Sequence, residues 1–144
     1  MRIEEIHPWQ LPRVWHILRP IIDKALDHSL GERMASDMLQ DFMNDNLYLL
    51  TAIDDEGDLA GVLVAEEIVY PQKKELYVHV WATVTGYGYD EWADLCEQSL
   101  IGIALDTGCH YIATKCRKGL ARKMVTKHGW NETYSVVSKQ VPME

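Results

Sequence analysis

The clearest pattern of hydrophobic and polar positions lies at residues 76–88, Leu-Tyr-Val-His-Val-Trp-Ala-Thr-Val-Thr-Gly-Tyr-Gly. Leu76, Val78, Val80, Ala82 and Val84 fall on one side of a strict period of two, and Tyr77, His79, Trp81 and Thr83 on the other. This predicts a central strand running into a glycine-containing loop. Its second face is aromatic and polar rather than lined by Lys or Glu, as in a layer packed against helices or the floor of a pocket.

Upstream, residues 1–6 alternate as a first strand. Leu11, Val14, Trp15, Leu18, Ile22, Ala25 and Leu26 then recur at spacings of three and four, predicting a helix that Pro20 kinks. Gly31 allows a break before a second helix over Glu32 to Asn44, with Met34, Met38, Leu39 and Phe42 on its buried side. Leu47 to Ile53 is apolar on both faces, as in a sheet-interior strand. The turn Asp54-Asp55-Glu56-Gly57-Asp58 places Leu59 to Val69 antiparallel to it, and a turn at Pro71–Lys74 leads into the strand at 76–88. Downstream the period changes. Trp92, Leu95, Cys96, Ser99, Leu100, Ile103 and Ala104 predict a long helix closed at Thr107-Gly108. Tyr111 to Lys115 reads as a short strand, Lys118 to His128 as a basic helix, and Trp130 to Val141 as a last strand or pair. The fold class is α/β, a mixed sheet flanked by helices, and the crossover within 76–115 is right-handed if its strands are parallel.

With 144 residues, 47% of them hydrophobic, the chain suits one domain with a sizeable core. A formal charge of −8 argues against general nucleic-acid binding, which draws on clustered Lys and Arg, and leaves small ligands and protein partners or a homo-oligomer. The first residues lack a charged run followed by an apolar core, and no apolar segment approaches the roughly 18 residues of a membrane span, so a cytoplasmic protein is expected. Cys96, Cys109 and Cys116 have no metal-type spacing and read as small buried hydrophobes. Trp9, Trp15, Trp81, Trp92 and Trp130 read as core; an exposed one would mark a docking surface. No metal site is expected, because Asp23, Asp27 and His28 have no matching ligand cluster.

The element order, with Thr83-Val84-Thr85-Gly86-Tyr87-Gly88 after a strand and before a long helix, resembles the GNAT superfamily, the acetyl-CoA-dependent N-acetyltransferases. In that family a loop of form Arg/Gln-x-x-Gly-x-Gly/Ala holds the CoA pyrophosphate. The general physics is that glycines let the backbone approach phosphate oxygens, and a helix N-terminus presents unpaired donors. The family pattern Asn-x-x-Ala-x-x-Leu-Tyr-x-x-x-Gly-Phe lies over Lys118 to Trp130, with Ala121, Met124, Gly129 and Trp130 matching or nearly so. Lys118 stands in the asparagine's place, Val125 in that of the tyrosine acid, and Thr83 in that of the first Arg or Gln.

The resemblance implies a single GNAT-like domain over residues 1–144, with six to seven strands and about four helices. It also implies acetyl-CoA as cofactor along Thr83, Val84, Thr85, Gly86, Tyr87 and Gly88, with Lys118 among the cofactor-binding residues. The alternative for that loop is a plain strand-to-helix turn with Asp90 and Glu91 at the helix start, where carboxylates favour the helix dipole and repel a diphosphate. Amine acetylation needs a base. His79 on the polar face of the central strand, with Glu66 or Glu67 on its neighbour, supplies candidates; the alternative for His79 is a hydrogen-bonded structural role. With Val125 in the tyrosine's place, bulk water or Tyr134 would serve as acid. The stretch Thr107 to Asn131 has no Asp or Glu but holds Lys115, Arg117, Lys118, Arg122, Lys123 and Lys127, either a solvated face or an attractor of CoA phosphates or an acidic partner. Two functions follow: an N-acyltransferase, or a non-catalytic interaction protein with eroded catalytic positions. The second resembles small virion proteins of short-tailed phages, which would place it in the virion.

Overall fold

The computed structural model describes residues 1–26, 34–84, 86–133 and 136–142. Strand β1 (Arg2–Ile6) leads through a 3-10 turn (Pro8–Gln10) into helix α1 (Leu11–Leu26), followed by α2 (Ala35–Met43). A meander β2 (Tyr48–Ile53), β3 (Leu59–Val69) and β4 (Lys74–Thr83) comes next, then α3 (Tyr89–Thr107), β5 (Tyr111–Thr114) and α4 (Lys118–Lys127). The sheet runs β1-β2-β3-β4-β5, antiparallel throughout except for the parallel β4–β5 pair. Five strands form where six to seven are expected. The described residues of 130–142 carry no regular structure and are mostly exposed, with Val136, Val137 and Val141 in solvent, so the last strand is absent there. Beyond Trp130, which packs against α3 and α4, the described apolar positions cover no face of the molecule, and alternation alone does not make a strand.

Each helix forms around the stripe its sequence supplies. Leu11, Leu18, Ile22 and Leu26 bury one side of α1, and Ala35, Met38 and Phe42 one side of α2. Pro20 forfeits the backbone bond to the His16 carbonyl, yet α1 continues through it, held by burial of Leu18 and Ile22 on either side. Asp23 Oδ1 accepts the Ala35 N–H at 2.7 Å and joins the two helices. Asp27 and His28, considered above with Asp23, lie outside the described residues, as does Tyr134. Met34 is exposed at the start of α2, not buried. No helix among the described residues is long and apolar enough to cross a membrane.

Two cores flank the sheet. α1 and α2 cover Leu49, Val62, Val64, Val80 and Ala82. α3 covers Leu50, Leu63, Ala65, Leu76 and Val78 through Trp92, Cys96 and Leu100. The apolar positions of β4 are therefore divided between the two faces, contrary to the strict alternation read above. A β-bulge is responsible: Val64 pairs with Val80 but Ala65 with Val78, so His79 is one residue extra on β4. An extra residue re-aims everything beyond it by one step of the pleat.

α3 approaches the sheet closely at Gly61, where a Cβ would stand 2.8 Å from Cε2 and Cζ2 of Trp92. A third small core docks α4, through Met124, onto Tyr89 and Ala93 of α3. Charge reinforces that docking. Asp90 bonds His128 Nε2 at 2.9 Å and Lys123 Nζ at 3.2 Å, and these partners hold its carboxyl below the usual carboxylate range. Of the tryptophans only Trp92 is fully buried; Trp9 is 73% exposed, stacked parallel to His7, and so is not core.

Gly61→Ala is expected to cost roughly 1–3 kcal/mol by overpacking, read as a lower urea midpoint, with Trp92→Phe less damaging in that background than alone. Asp90→Asn should lower the melting temperature at neutral pH. Because the folded-state pKa of Asp90 is depressed, its contribution is present above the unfolded value of about 3.9 and disappears as pH falls through the folded value. The two proteins should therefore converge in acid; a difference that persists there would rule out this role for the charge.

Candidate functional site

The bulge brings together two residues that sequence alone placed on adjacent strands. Glu66 lies opposite Tyr77 in the β3–β4 ladder, and the extra residue lets the His79 side chain reach it, with Nε2 2.7 Å from Glu66 Oε1. Both are partly buried. The Tyr77 ring meets the imidazole edge-on at 5.0 Å between centroids. Glu67, the other candidate, points to the opposite face and pairs with Lys74 at 3.0 Å. Glu66 and His79 thus form a hydrogen-bonded pair, while Glu67 has no part in it.

At the bulge the sheet opens. Pairing with β5 ends at Val78 opposite Thr114, yet β4 runs on to Thr83. The Thr114 hydroxyl donates to the Val78 carbonyl at 2.8 Å and accepts the Trp81 indole N–H at 2.8 Å, bridging the strands where they part. Trp81 leans on Tyr89, Trp92 and Trp130, with ring centroids 5.5, 6.2 and 6.3 Å away. Burial pushes the Tyr89 phenol above its ordinary range, and its Oη has no hydrogen-bond partner among the described residues.

β4 ends in the loop read as a cofactor cradle. Thr83 is exposed, Val84 donates its N–H to the Ala60 carbonyl at 2.9 Å, and Thr85 lies outside the described residues. Gly86 has φ +98°, a conformation a side chain would strain. Gly88 caps α3, and its N–H donates to the Glu91 carboxylate at 3.0 Å. The Tyr87 hydroxyl donates to Asp54 of the β2–β3 turn; this bond is the main reason the Asp54 carboxyl is lowered and the Tyr87 phenol raised to about 12. Sequence did not anticipate that tie, because 33 residues separate its partners.

Lys118 is the exposed first residue of α4, and Val125, in the tyrosine's place, is 39% exposed on the same helix. Lys123 and Lys127 of the basic segment turn to Asp90 rather than to the loop. Cys96 is buried and its thiol pushed up to about 12 by that burial, while Cys109 and Cys116 are half-buried free thiols. Asp54, Glu56 and Asp58 cluster in the β2–β3 turn, where Asp54 instead accepts the N–H groups of Glu56 and Asp58.

No protein-family model matches the sequence, and no curated protein sequence matches it. Solved structures do. The chain is similar to a probable acetyltransferase, with a TM-score of 0.73 and 16% identity over 100% of this chain and 99% of that one. It is similar to an aminoglycoside acetyltransferase from an uncultured soil metagenomic sample, with a TM-score of 0.71 and 16% identity over 99% and 97%. A ribosomal-protein-alanine N-acetyltransferase from Brucella melitensis biovar Abortus 2308 gives a TM-score of 0.70 and 14% identity over 98% and 100%. Likeness along the whole of each chain, at identities this low, is a likeness of fold: this chain has the fold of these acetyltransferases.

Proposed function

We propose that this protein is an acetyl-CoA-dependent N-acyltransferase whose proton-accepting group is the Glu66–His79 pair. The observation that carries the proposal is the position of that pair at the β4 bulge, beside the point where β4 and β5 part. The fold it shares with acetyltransferases supports the same reading.

The residues present suit the cofactor in two respects. The backbone of β4 beyond Val78 is not paired with β5, leaving an edge for an extended, amide-rich chain. Gly86 and Gly88 precede the N-terminus of α3; with the Gly88 N–H taken by the Glu91 carboxylate and the Glu91 N–H by the Gly88 carbonyl, the N–H groups of Tyr89 and Asp90 are left as first-turn donors for phosphate oxygens. Asp90 and Glu91 oppose that charge, so affinity rests on the backbone donors more than on the net field. Acetyl-CoA, when bound, supplies an activated acyl thioester.

An amine acceptor arrives as an ammonium and must lose a proton before its nitrogen has a lone pair. With His79 Nε2–H donated to Glu66, Nδ1 keeps a lone pair to take that proton, and Glu66 stabilises the imidazolium that forms. Val125 has no ionisable group, so with the cofactor bound the leaving thiol would take its proton from solvent.

Millimolar acetyl-CoA should raise the melting temperature, about 2.7 kcal/mol of added stability when it is present at 100 times Kd. Gly88→Glu should abolish the rise. His79→Ala should keep it and lose about 10²–10⁴-fold in acylation rate. No rise with the native protein would remove the proposal and favour a non-catalytic binding protein, a reading supported by the exposed Trp9.

A further inference from the structure

The sheet has two outer strands, and their edges differ. β1 carries Arg2, Glu4 and Glu5, charges of the kind that keep an open edge from pairing with another chain. β5, Tyr-Ile-Ala-Thr, carries no charge, proline or bulge, and among the described residues no strand pairs with its side away from β4. It is also incompletely covered. Ile112, which belongs with Leu76 to the α3-side core, is only half-buried, and Tyr111 is 59% exposed.

Beside that edge, between β5, the second half of α3 and the segment after α4, lies a groove of about 510 Å³. Ile101 and Leu105, one turn apart on α3, line it together with Ile112 and Trp130, and both are exposed. Glu97 is the one carboxylate in its lining.

The chain that leaves α4 runs along this groove without filling it. Trp130, Asn131 and Thr133 line it, yet Val136, Val137 and Val141 stand in solvent, Val137 at 93% exposure. Residues 136–141, Val-Val-Ser-Lys-Gln-Val, nevertheless have the character of a strand. Val137, Lys139 and Val141 share one face, β-branched residues make up half of the segment, and Pro142 ends it. Lys139 is its one charge, opposite in sign to Glu97. Each molecule thus holds an unguarded edge beside an apolar groove and a strand-patterned segment with no edge, and does not join its own two.

We propose that two copies of this chain exchange these segments, residues 136–141 of each adding a strand to β5 of the other, with the valines over Ile101 and Leu105. Exchange about a twofold axis pairs both edges and closes the assembly at a dimer, because each copy gives one segment and takes one. An unrelated peptide in the groove would leave the exposed valines without a partner. Nothing in this assembly depends on acyl transfer.

Sedimentation equilibrium on the full chain tests it, and a dimer at micromolar concentration is expected. Val137→Asp combined with Val141→Asp, and separately Leu105→Lys, should each weaken that dimer about tenfold or more by placing a charge in an apolar contact. All three positions are exposed, so the fold of the single chain is not at risk. Of Ser138→Pro and Lys139→Pro, at least one should weaken it likewise, because alternate N–H groups of an added strand face its neighbour. An equimolar mixture of the double aspartate variant and Leu105→Lys should dimerise more tightly than either alone. The mixed dimer keeps one native segment in one native groove, and its two altered surfaces meet with opposite charge. Packing of groove against groove would give no such rescue. A native protein that stays monomeric up to millimolar concentration would overturn the inference, including one whose 136–141 amides are protected from hydrogen exchange on its own β5. So would a dimer indifferent to the aspartate or both proline variants, or a mixture without rescue.

Discussion

The structure turns on one extra residue in β4. His79, unmatched between the Val64–Val80 and Ala65–Val78 pairs, switches the strand's apolar positions from the α3 core below it to the α1–α2 core above it. One strand can thus serve two cores. The same irregularity sits at the point where β5 stops pairing and lets the imidazole reach Glu66. Bulges bend and twist the strand that carries them, which fits a sheet that opens at one. Packing and candidate chemistry therefore share a single backbone feature.

Aromatic packing then determines how the opened region is filled. Trp92 comes so close to β3 that only glycine fits at position 61, and Trp81, Tyr89 and Trp130 crowd the space between β4, α3 and α4. Trp130 is also tied down through its indole N–H to Glu97 at 2.7 Å. Rings of this size bury large areas with few rotatable bonds, so they fix the position of α4 with little contribution from its polar outer face. Electrostatics refines that placement. The one strongly basic segment of an acidic chain is drawn onto Asp90 by Lys123, Lys127 and His128, which leaves less of its charge for the neighbouring glycine loop.

Much of the fold was legible from periodicity. β2, β3, β5 and the helices fall within a few residues of their predicted spans, because each buries a stripe or face whose spacing is local information. The failures share a cause. The strand expected over 130–141 has the alternation but, among the described residues, no sheet edge beside it, and strands are stabilised by partners that a single segment does not contain. Trp9 has the composition of a core residue and lies in solvent for the same reason.

Sequence by itself determined the α/β class, the order of elements, the glycine loop before α3 and the choice of His79 and Glu66 as candidate groups. These follow from residue type and spacing along the chain. Only the tertiary structure decided that the two meet, that Glu67 does not join them, that Tyr87 is anchored to Asp54, and that Lys73 pairs with Glu75. Each depends on register between strands or on a bulge within one, and a shift of a single residue would send every one of these side chains to the other face. The stretch at 76–88 that looked simplest in sequence, a regular strand ending in glycines, holds the irregularity on which the site depends.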